Sequence, residues 1–149
     1  MEKDFNISKL KLIYAADIMN PQVAMISANA TVGQIVHLLL RDRSSGYPVV
    51  DASNKVVGIV TLTDLFAQLD KMASAKESDL QTMITEYKSK PIEDLMTKNV
   101  ITINKHTSLA EMIDIMAKSK IHNFPVVEND QLVGIIGRHD VLSAVFVYA

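Results

Sequence analysis

Two short stretches carry residues whose types and spacing could bind a small molecule. Thr61-x-x-Asp64 ends the run GIVTLTD at 58–64, and Gly137-x-x-Asp140 ends GIIGRHD at 134–140. Two readings fit the first. With Thr61 as N-cap and Asp64 three residues on, hydroxyl and carboxylate form a capping box. It satisfies amides that the first turn leaves unpaired, and the acid complements the positive end of the helix dipole. The same geometry can hold a ligand. A helix N-terminus offers N–H groups to a phosphate, and a Thr hydroxyl adds one more hydrogen bond. An ionised Asp accepts only, which suits the paired hydroxyl donors of a ribose. The acid must then face the sugar, because it would repel the phosphate. The second stretch has Gly137 where the first has Thr61, so the capping hydroxyl is gone while the acid remains. Gly is itself an acceptable N-cap, and capping alone leaves Asp140 only partly explained.

Other chemistries find little support. The chain has no Cys, which excludes disulfides, thiolate nucleophiles and Cys-based metal sites. His37, His106, His122 and His139 show no metal-ligand spacing and have no acid cluster beside them. His37 reads as a helix residue and His106 as a loop residue. No nucleophile elbow, P-loop or dinucleotide-binding glycine pattern is present, and no carboxylate pair suggests acid–base work. The chain is expected not to be an enzyme, and no metal is expected.

The acids must be positioned by elements that the chain writes twice. DIM at 17–19 returns as DLM at 94–96, and YPVV at 47–50 returns as FPVV at 124–127, each 77 positions on. GIV at 58–60 returns as GII at 134–136, 76 positions on, so one residue is lost between DASNK and ENDQ. Val23 and Met25, with their counterparts Val100 and Thr102, read as short β pieces. Val32, Ile35, Val36 and Leu39 follow the i, i+3, i+4, i+7 spacing of an amphipathic helix, and so do Leu109, Met112, Ile113 and Met116. Capping boxes open both, Thr31-x-x-Gln34 and Ser108-x-x-Glu111. Pro48-Val49-Val50 and Pro125-Val126-Val127 read as strands that begin at Pro, where a missing N–H is cheapest. A turn leads to a further strand, Val56–Val60 or Leu132–Ile136. A second helix follows, with Leu62, Leu65, Phe66 and Leu69 on one face.

The reading is therefore residues 1–13 as an arm or helix packing Leu10, Ile13 and Tyr14; a first repeat at 14–71; a partly helical connector at 72–90; and a second repeat at 91–149. Each β-α-β-β-α copy, of about 55 residues, is marginal alone, because so small a unit buries too little surface. The 149 residues are 48% hydrophobic and 21% charged with net charge −2, enough for a core and without the basic face that nucleic acid or an anionic membrane would need. The mixed N-terminus does not read as a secretory signal, and no apolar run approaches a membrane span. A cytoplasmic location is expected. Val141, Leu142, Val145, Phe146 and Val147 are more apolar than one buried face requires, which points to a homodimer through the helices.

DIM, T-V-x-x-I at 31–35, YPVVD at 47–51 and GIVTxxD at 58–64 resemble a CBS (cystathionine beta-synthase) domain, and the second copy resembles one too. Residues 14–147 resemble the tandem pair known as a Bateman module. The resemblance implies an α+β fold of two β-α-β-β-α repeats packed sheet to sheet with pseudo-two-fold symmetry. It also implies adenine nucleotides held in clefts between the repeats and disc-shaped dimers. In the family the Thr and Asp of this motif contact phosphate and ribose, which would give those roles to Thr61 and Asp64. By position, His122, Asn123, Arg138 and His139 would supply the phosphate side of that site, and Val60, Val100 and Ile101 its apolar slot. A second site would take Val23, Ala24, Ser45, Gly46, Thr63, Ile136, Gly137 and Asp140. The first is cation-lined and the second nearly neutral, so a phosphate should prefer the first. For Val60 and Ile101, plain core packing is an equal alternative. The expected function is a non-catalytic regulatory module that needs no cofactor, binds AMP, ADP or ATP, and signals by conformational change to an effector protein. The alternatives are a ligand-free interaction module, or a binder of a cyclic dinucleotide or S-adenosylmethionine.

Overall fold

The computed structural model describes residues 7–42 and 46–148. In chain order the elements are α1 (Ile7–Leu10), α2 (Ala15–Ile18), β1 (Ile26–Ser27), α3 (Val32–Asp42), β2 (Gly46–Val50), β3 (Val56–Thr61), α4 (Leu62–Met72), α5 (Glu77–Ser89), a 3-10 turn (Ile92–Asp94), α6 (Leu109–Lys118), β4 (Asn123–Glu128), β5 (Gln131–Gly137) and α7 (Arg138–Tyr148). Two compact units divide them. A central unit is Ala24–Val100, and a split unit joins Met1–Val23 to Ile101–Ala149. The cuts after Val23 and after Val100 lie at matching positions of the repeat, 77 residues apart.

In the central unit β1 pairs parallel with β2, and β2 pairs antiparallel with β3. Thr97 adds to the far side of β3, exchanging two backbone hydrogen bonds of 2.8 and 2.9 Å with Ile59. The split unit repeats this layout: Ile103 bridges β4, β4 pairs with β5, and Asn20 exchanges two bonds with Ile135 on β5. Each repeat's second hairpin strand is therefore flanked by the segment that opens the other repeat in sequence. The DLM segment sits with the first hairpin and the DIM segment with the second.

The helices form for local reasons. Thr31 and Gln34 close a capping box on α3, and Ser108 and Glu111 close one on α6. Val32, Ile35 and Leu39 then bury their stripe with Tyr47, Val49, Val60, Leu65, Tyr87, Ile92 and Met96. Leu109 and Met112 pack with Leu10, Ala15, Ile103, Phe124, Val126, Ile136, Val141 and Ala144. Each fully buried aliphatic side chain contributes about 1.5–3 kcal/mol by leaving water. The lost residue sits in the turns. The first hairpin keeps a looser turn, in which Asp51 Oδ1 accepts from Ser53 and Lys55 amides and Asn54 has φ 63°. The second closes through Asn129 and Asp130 alone, both at positive φ. That is the two-residue turn whose twist matches the strands.

Several expectations need correction. Pro48 and Pro125 do not begin their strands but lie within β2 and β4, opposite Ile59 and Ile135. The missing N–H is harmless there. Ile59 and Ile135 direct their backbone bonds to the other side, to Thr97 and Asn20. Val23, Met25, Val100 and Thr102 lie in irregular chain; only Ile26–Ser27 and the single bridge at Ile103 are β. Leu10 is buried in the split unit's core, whereas Tyr14 is exposed. On α4 only Leu65 is buried, while Leu62, Phe66 and Leu69 face out.

Tyr47 ties β2 to the end of α3, its hydroxyl donating to Asp42 at 2.6 Å and to the Leu38 carbonyl at 3.2 Å. Burial, reinforced by the Asp42 carboxylate, pushes this phenol from 10 up to about 12. The folded state thus favours the protonated form. Its contribution to stability is complete below pH 10 and fades as pH rises toward 12. Denaturation of the wild type and of Tyr47→Phe between pH 8 and 11.5 should show the wild type's advantage shrinking through that window. A constant difference would mean that the hydroxyl does not carry it.

Candidate functional site

β3 delivers Thr61 to the start of α4 in extended conformation (φ −125°, ψ 167°), where the chain turns into the helix. The capping box is complete. The Thr61 amide donates to Asp64 Oδ2 at 2.8 Å, and the Asp64 amide donates to Thr61 Oγ1 at 3.4 Å. The Thr61 hydroxyl also donates to Asp64 Oδ2, at 3.1 Å, so its single proton points at the acid. A third contact comes from outside the helix: the Thr97 hydroxyl donates to Asp64 Oδ1 at 3.0 Å. Of roughly four acceptor positions on a carboxylate, three are filled, and the open one is on Oδ1. Asp64 is half-buried and so remains reachable from solvent. Beneath it Tyr87 of α5 donates to the Leu65 carbonyl at 2.9 Å, and burial together with the Asp64 charge pushes this phenol up.

The other expected residues of the central unit divide by exposure. The Val60 side chain is fully buried in the core, so only its backbone could meet a ligand, while Val100 is half-buried at the unit's end. Gly46 pairs with Thr61 across the sheet, where a Cβ would stand 2.8 Å from the Val60 carbonyl oxygen. Ala24 and Thr63 are exposed. Ser45 lies outside the described residues.

In the split unit the pairing of Asn123 with Gly137 brings the start of β4 beside the start of α7. The Arg138 amide donates to the His122 carbonyl at 3.1 Å, and Asn123 Oδ1 lies 3.2 Å from where a Cβ on Gly137 would be. His122, Arg138, His139 and Asp140 are all exposed, which puts two imidazoles, a guanidinium and a carboxylate around one strand–helix junction. Asp140 Oδ2 accepts from the Gly137 amide at 2.8 Å, the same cap that Asp64 forms, made here without a hydroxyl. Ile136 is fully buried, Val23 is half-buried, and Ile101 is 44% exposed, so Ile101 is not a core residue. Among the described residues, no three His, Cys, Asp or Glu side chains could together hold a metal ion.

The residue that sequence reasoning missed is Thr97. A signal existed, since DIMN and DLMT differ just after the aligned Met, Asn20 standing where Thr97 does. Asn20 is used differently. Its Oδ1 accepts from the Gln22 amide at 3.0 Å.

Two sheets of one design, built from two copies of one motif string, also fit an established family. A family model for the CBS domain matches residues 15–71 and again 92–147. The chain belongs to the CBS-domain family. It is 29% identical over 137 residues to the CBS domain-containing protein CBSX1 of Arabidopsis thaliana, covering 80% of this chain and 58% of that protein. It is also 29% identical over 130 residues to the inosine-5′-monophosphate dehydrogenase of Methanocaldococcus jannaschii, of which it spans only 23%. Among solved structures, CBSX2 in complex with AMP superposes with a TM-score of 0.74 at 27% identity, over 90% of this chain and 96% of that one. The CBS domain pair of protein MJ0100, in complex with 5′-methylthioadenosine and S-adenosyl-L-methionine, gives 0.71 at 26% identity, over 89% and 94%. CBS pairs similar to this one therefore bind AMP and other adenosyl ligands. No helix among the described residues is long and apolar enough to cross a membrane.

Proposed function

We propose that this CBS pair is a non-catalytic sensor of an adenine nucleotide, with AMP, ADP or ATP as its ligand. The observation that carries the reading is the Asp64 carboxylate. It is held from two directions at the start of α4, is open on one lone pair, and can accept from a ribose hydroxyl. The ligands of the similar pairs support it. AMP, methylthioadenosine and S-adenosylmethionine differ at the 5′ position, as phosphate, thioether and sulfonium, but share adenine and a ribose cis-diol. Besides adenine, the group they present in common is the sugar diol, which an acceptor-only side chain suits.

The Arg138 guanidinium, with the His122 and His139 imidazoles exposed beside it at one junction of the split unit, distinguishes among 5′ substituents in this reading. These groups favour a phosphate over a neutral thioether or a positive sulfonium. Charge-assisted contacts of about 1.5–3 kcal/mol each make a preference of tenfold or more for AMP over methylthioadenosine reasonable. Ligand binding shifts the population toward the arrangement that binds it better, and output passes to an effector protein. A homodimer through the helices fits the exposed apolar side chains of α4 (Leu62, Phe66, Leu69) and α7 (Leu142, Phe146, Val147). Those same faces favour the second reading, a ligand-free interaction module.

Titration calorimetry and thermal shift with AMP, ADP, ATP, methylthioadenosine, S-adenosylmethionine and a cyclic dinucleotide separate the two. A ligand at a hundred times its Kd stabilises the fold by about 2.7 kcal/mol, whereas an empty scaffold shows no shift with any of them.

A further inference from the structure

Resting on the reading that Asp64 accepts from a ribose, we propose that Thr97 is the second half of the sugar-reading pair. One hydroxyl of the cis-diol donates to Asp64 Oδ1 and the other to Thr97 Oγ1. Three observations carry this. Asp64 Oδ2 is saturated by the Thr61 amide and hydroxyl, and Oδ1 already accepts from Thr97, so the carboxylate alone has room for one sugar hydroxyl. Thr97 Oγ1 spends its proton on Asp64 and keeps two acceptor positions, on an oxygen 3.0 Å from Oδ1. Two adjacent acceptors at that spacing match a diol, whose two oxygens are themselves about a hydrogen bond apart. Thr97 is also rigidly placed, because both its N–H and its carbonyl are paired with Ile59, while its side chain is exposed. Backbone pairing already anchors this segment, which frees the hydroxyl for recognition.

The two repeats then read sugars differently. At the matching position Asn20 turns its side-chain oxygen to the Gln22 amide, and Asp140 accepts only from Gly137 among the contacts described. Asp140 keeps room for both hydroxyls of a diol by itself, whereas Asp64 does not. Thr97 is thus a specificity residue of the central unit alone.

The test uses the full chain carrying Asp140→Ala, so that the Asp64 acid reports alone, with AMP, 2′-deoxy-AMP and 3′-deoxy-AMP measured by calorimetry. With Thr97 present, each deoxy nucleotide should bind about threefold to tenfold more weakly than AMP. Thr97→Val, and independently Thr97→Ala, should abolish discrimination against one of the two and keep it against the other, because the Oδ1 position they vacate points at the place of the lost hydroxyl, one hydrogen-bond length short of the sugar. Thr97→Ser should restore both. A merely structural role would weaken all three nucleotides alike. If Thr97→Val and Thr97→Ala keep both discriminations while Asp64→Asn still weakens AMP, the role of Thr97 is overturned and the nucleotide reading stands. If AMP binding does not depend on Asp64, both fall together.

Discussion

Asp64→Asn should weaken AMP binding at least tenfold while leaving the melting temperature nearly unchanged. The asparagine oxygen still accepts from the Thr61 amide, which bonds Asp64 Oδ2 at 2.8 Å, and the side-chain nitrogen can donate to Thr97 Oγ1. The cap and the tie to Thr97 therefore survive. The ionised acceptor for the sugar is lost, and a hydrogen bond to a charged group is worth about 1.5–3 kcal/mol, or tenfold to a hundredfold in affinity. Asp64→Ala is less informative, because it also removes the capping box, at about 1 kcal/mol, and so mixes stability with binding. Asp140→Asn should cost less affinity, since among the contacts described Asp140 has neither a hydroxyl like that of Thr61 nor a second tie like that of Thr97 to orient it. Calorimetry on the two variants decides. An Asp64→Asn protein that binds AMP within twofold of wild type would move the sugar elsewhere, and a larger loss at Asp140 would reverse the order of the two sites.

Gly58→Ala should destabilise the chain by about 1–3 kcal/mol, in the range of overpacked cores, and more than Gly134→Ala does. Neither glycine has positive φ, so the requirement is space. A Cβ on Gly58 would stand 2.5 Å from Met96 Sδ and 3.0 Å from the Thr97 carbonyl oxygen. On Gly134 its three nearest atoms would all belong to the Met19 side chain, with Sδ at 2.7 Å. A thioether can rotate away, but the Thr97 carbonyl is fixed by its bond to the Ile59 amide, 2.9 Å long. For a chain of this size each kcal/mol lowers the melting temperature by about 2–4 °C. Adding Met96→Ala to Gly58→Ala should cost less than the two changes summed, because they share one contact. Equal losses at Gly58 and Gly134, or strict additivity with Met96, would show that the close approach is not what these glycines serve. The Gly58 variant should also lose AMP affinity, since a displaced Thr97 no longer holds its hydroxyl oxygen beside Asp64 Oδ1.

Much of this arrangement was legible because it is local or duplicated. Thr31 with Gln34, Ser108 with Glu111 and Thr61 with Asp64 are three residues apart, and their boxes close within one helical turn wherever the chain goes. The repeat offset placed both hairpins and located the deletion, which lies in the turns after Val50 and Glu128. Failures came where the backbone partner lay far along the chain. Pro48 looked like a strand's first residue because a missing N–H seemed to need an end. The structure places it mid-strand, opposite Ile59, whose bonds go to Thr97, 38 positions further on (59 to 97). The α4 stripe of Leu62, Leu65, Phe66 and Leu69 has helical spacing, yet spacing does not say how much of a stripe is covered, and Phe66 is 64% exposed.

By itself the sequence determined the duplication, the family pattern, the capped helix starts and an acid at the head of α4 and of α7, all consequences of contacts within a few residues or of two copies sharing one pattern. Only the tertiary structure decided that the DLM segment lies along β3 and the DIM segment along β5, and so that Thr97, 33 positions from Asp64, reaches its carboxylate while Asn20 turns to Gln22. The physical reason is that a side-chain bond across such a separation exists only once the chain's path has been chosen. That path is set by burying Ile92 and Met96 in one core and Ala15 in the other, not by any preference of Thr or Asp.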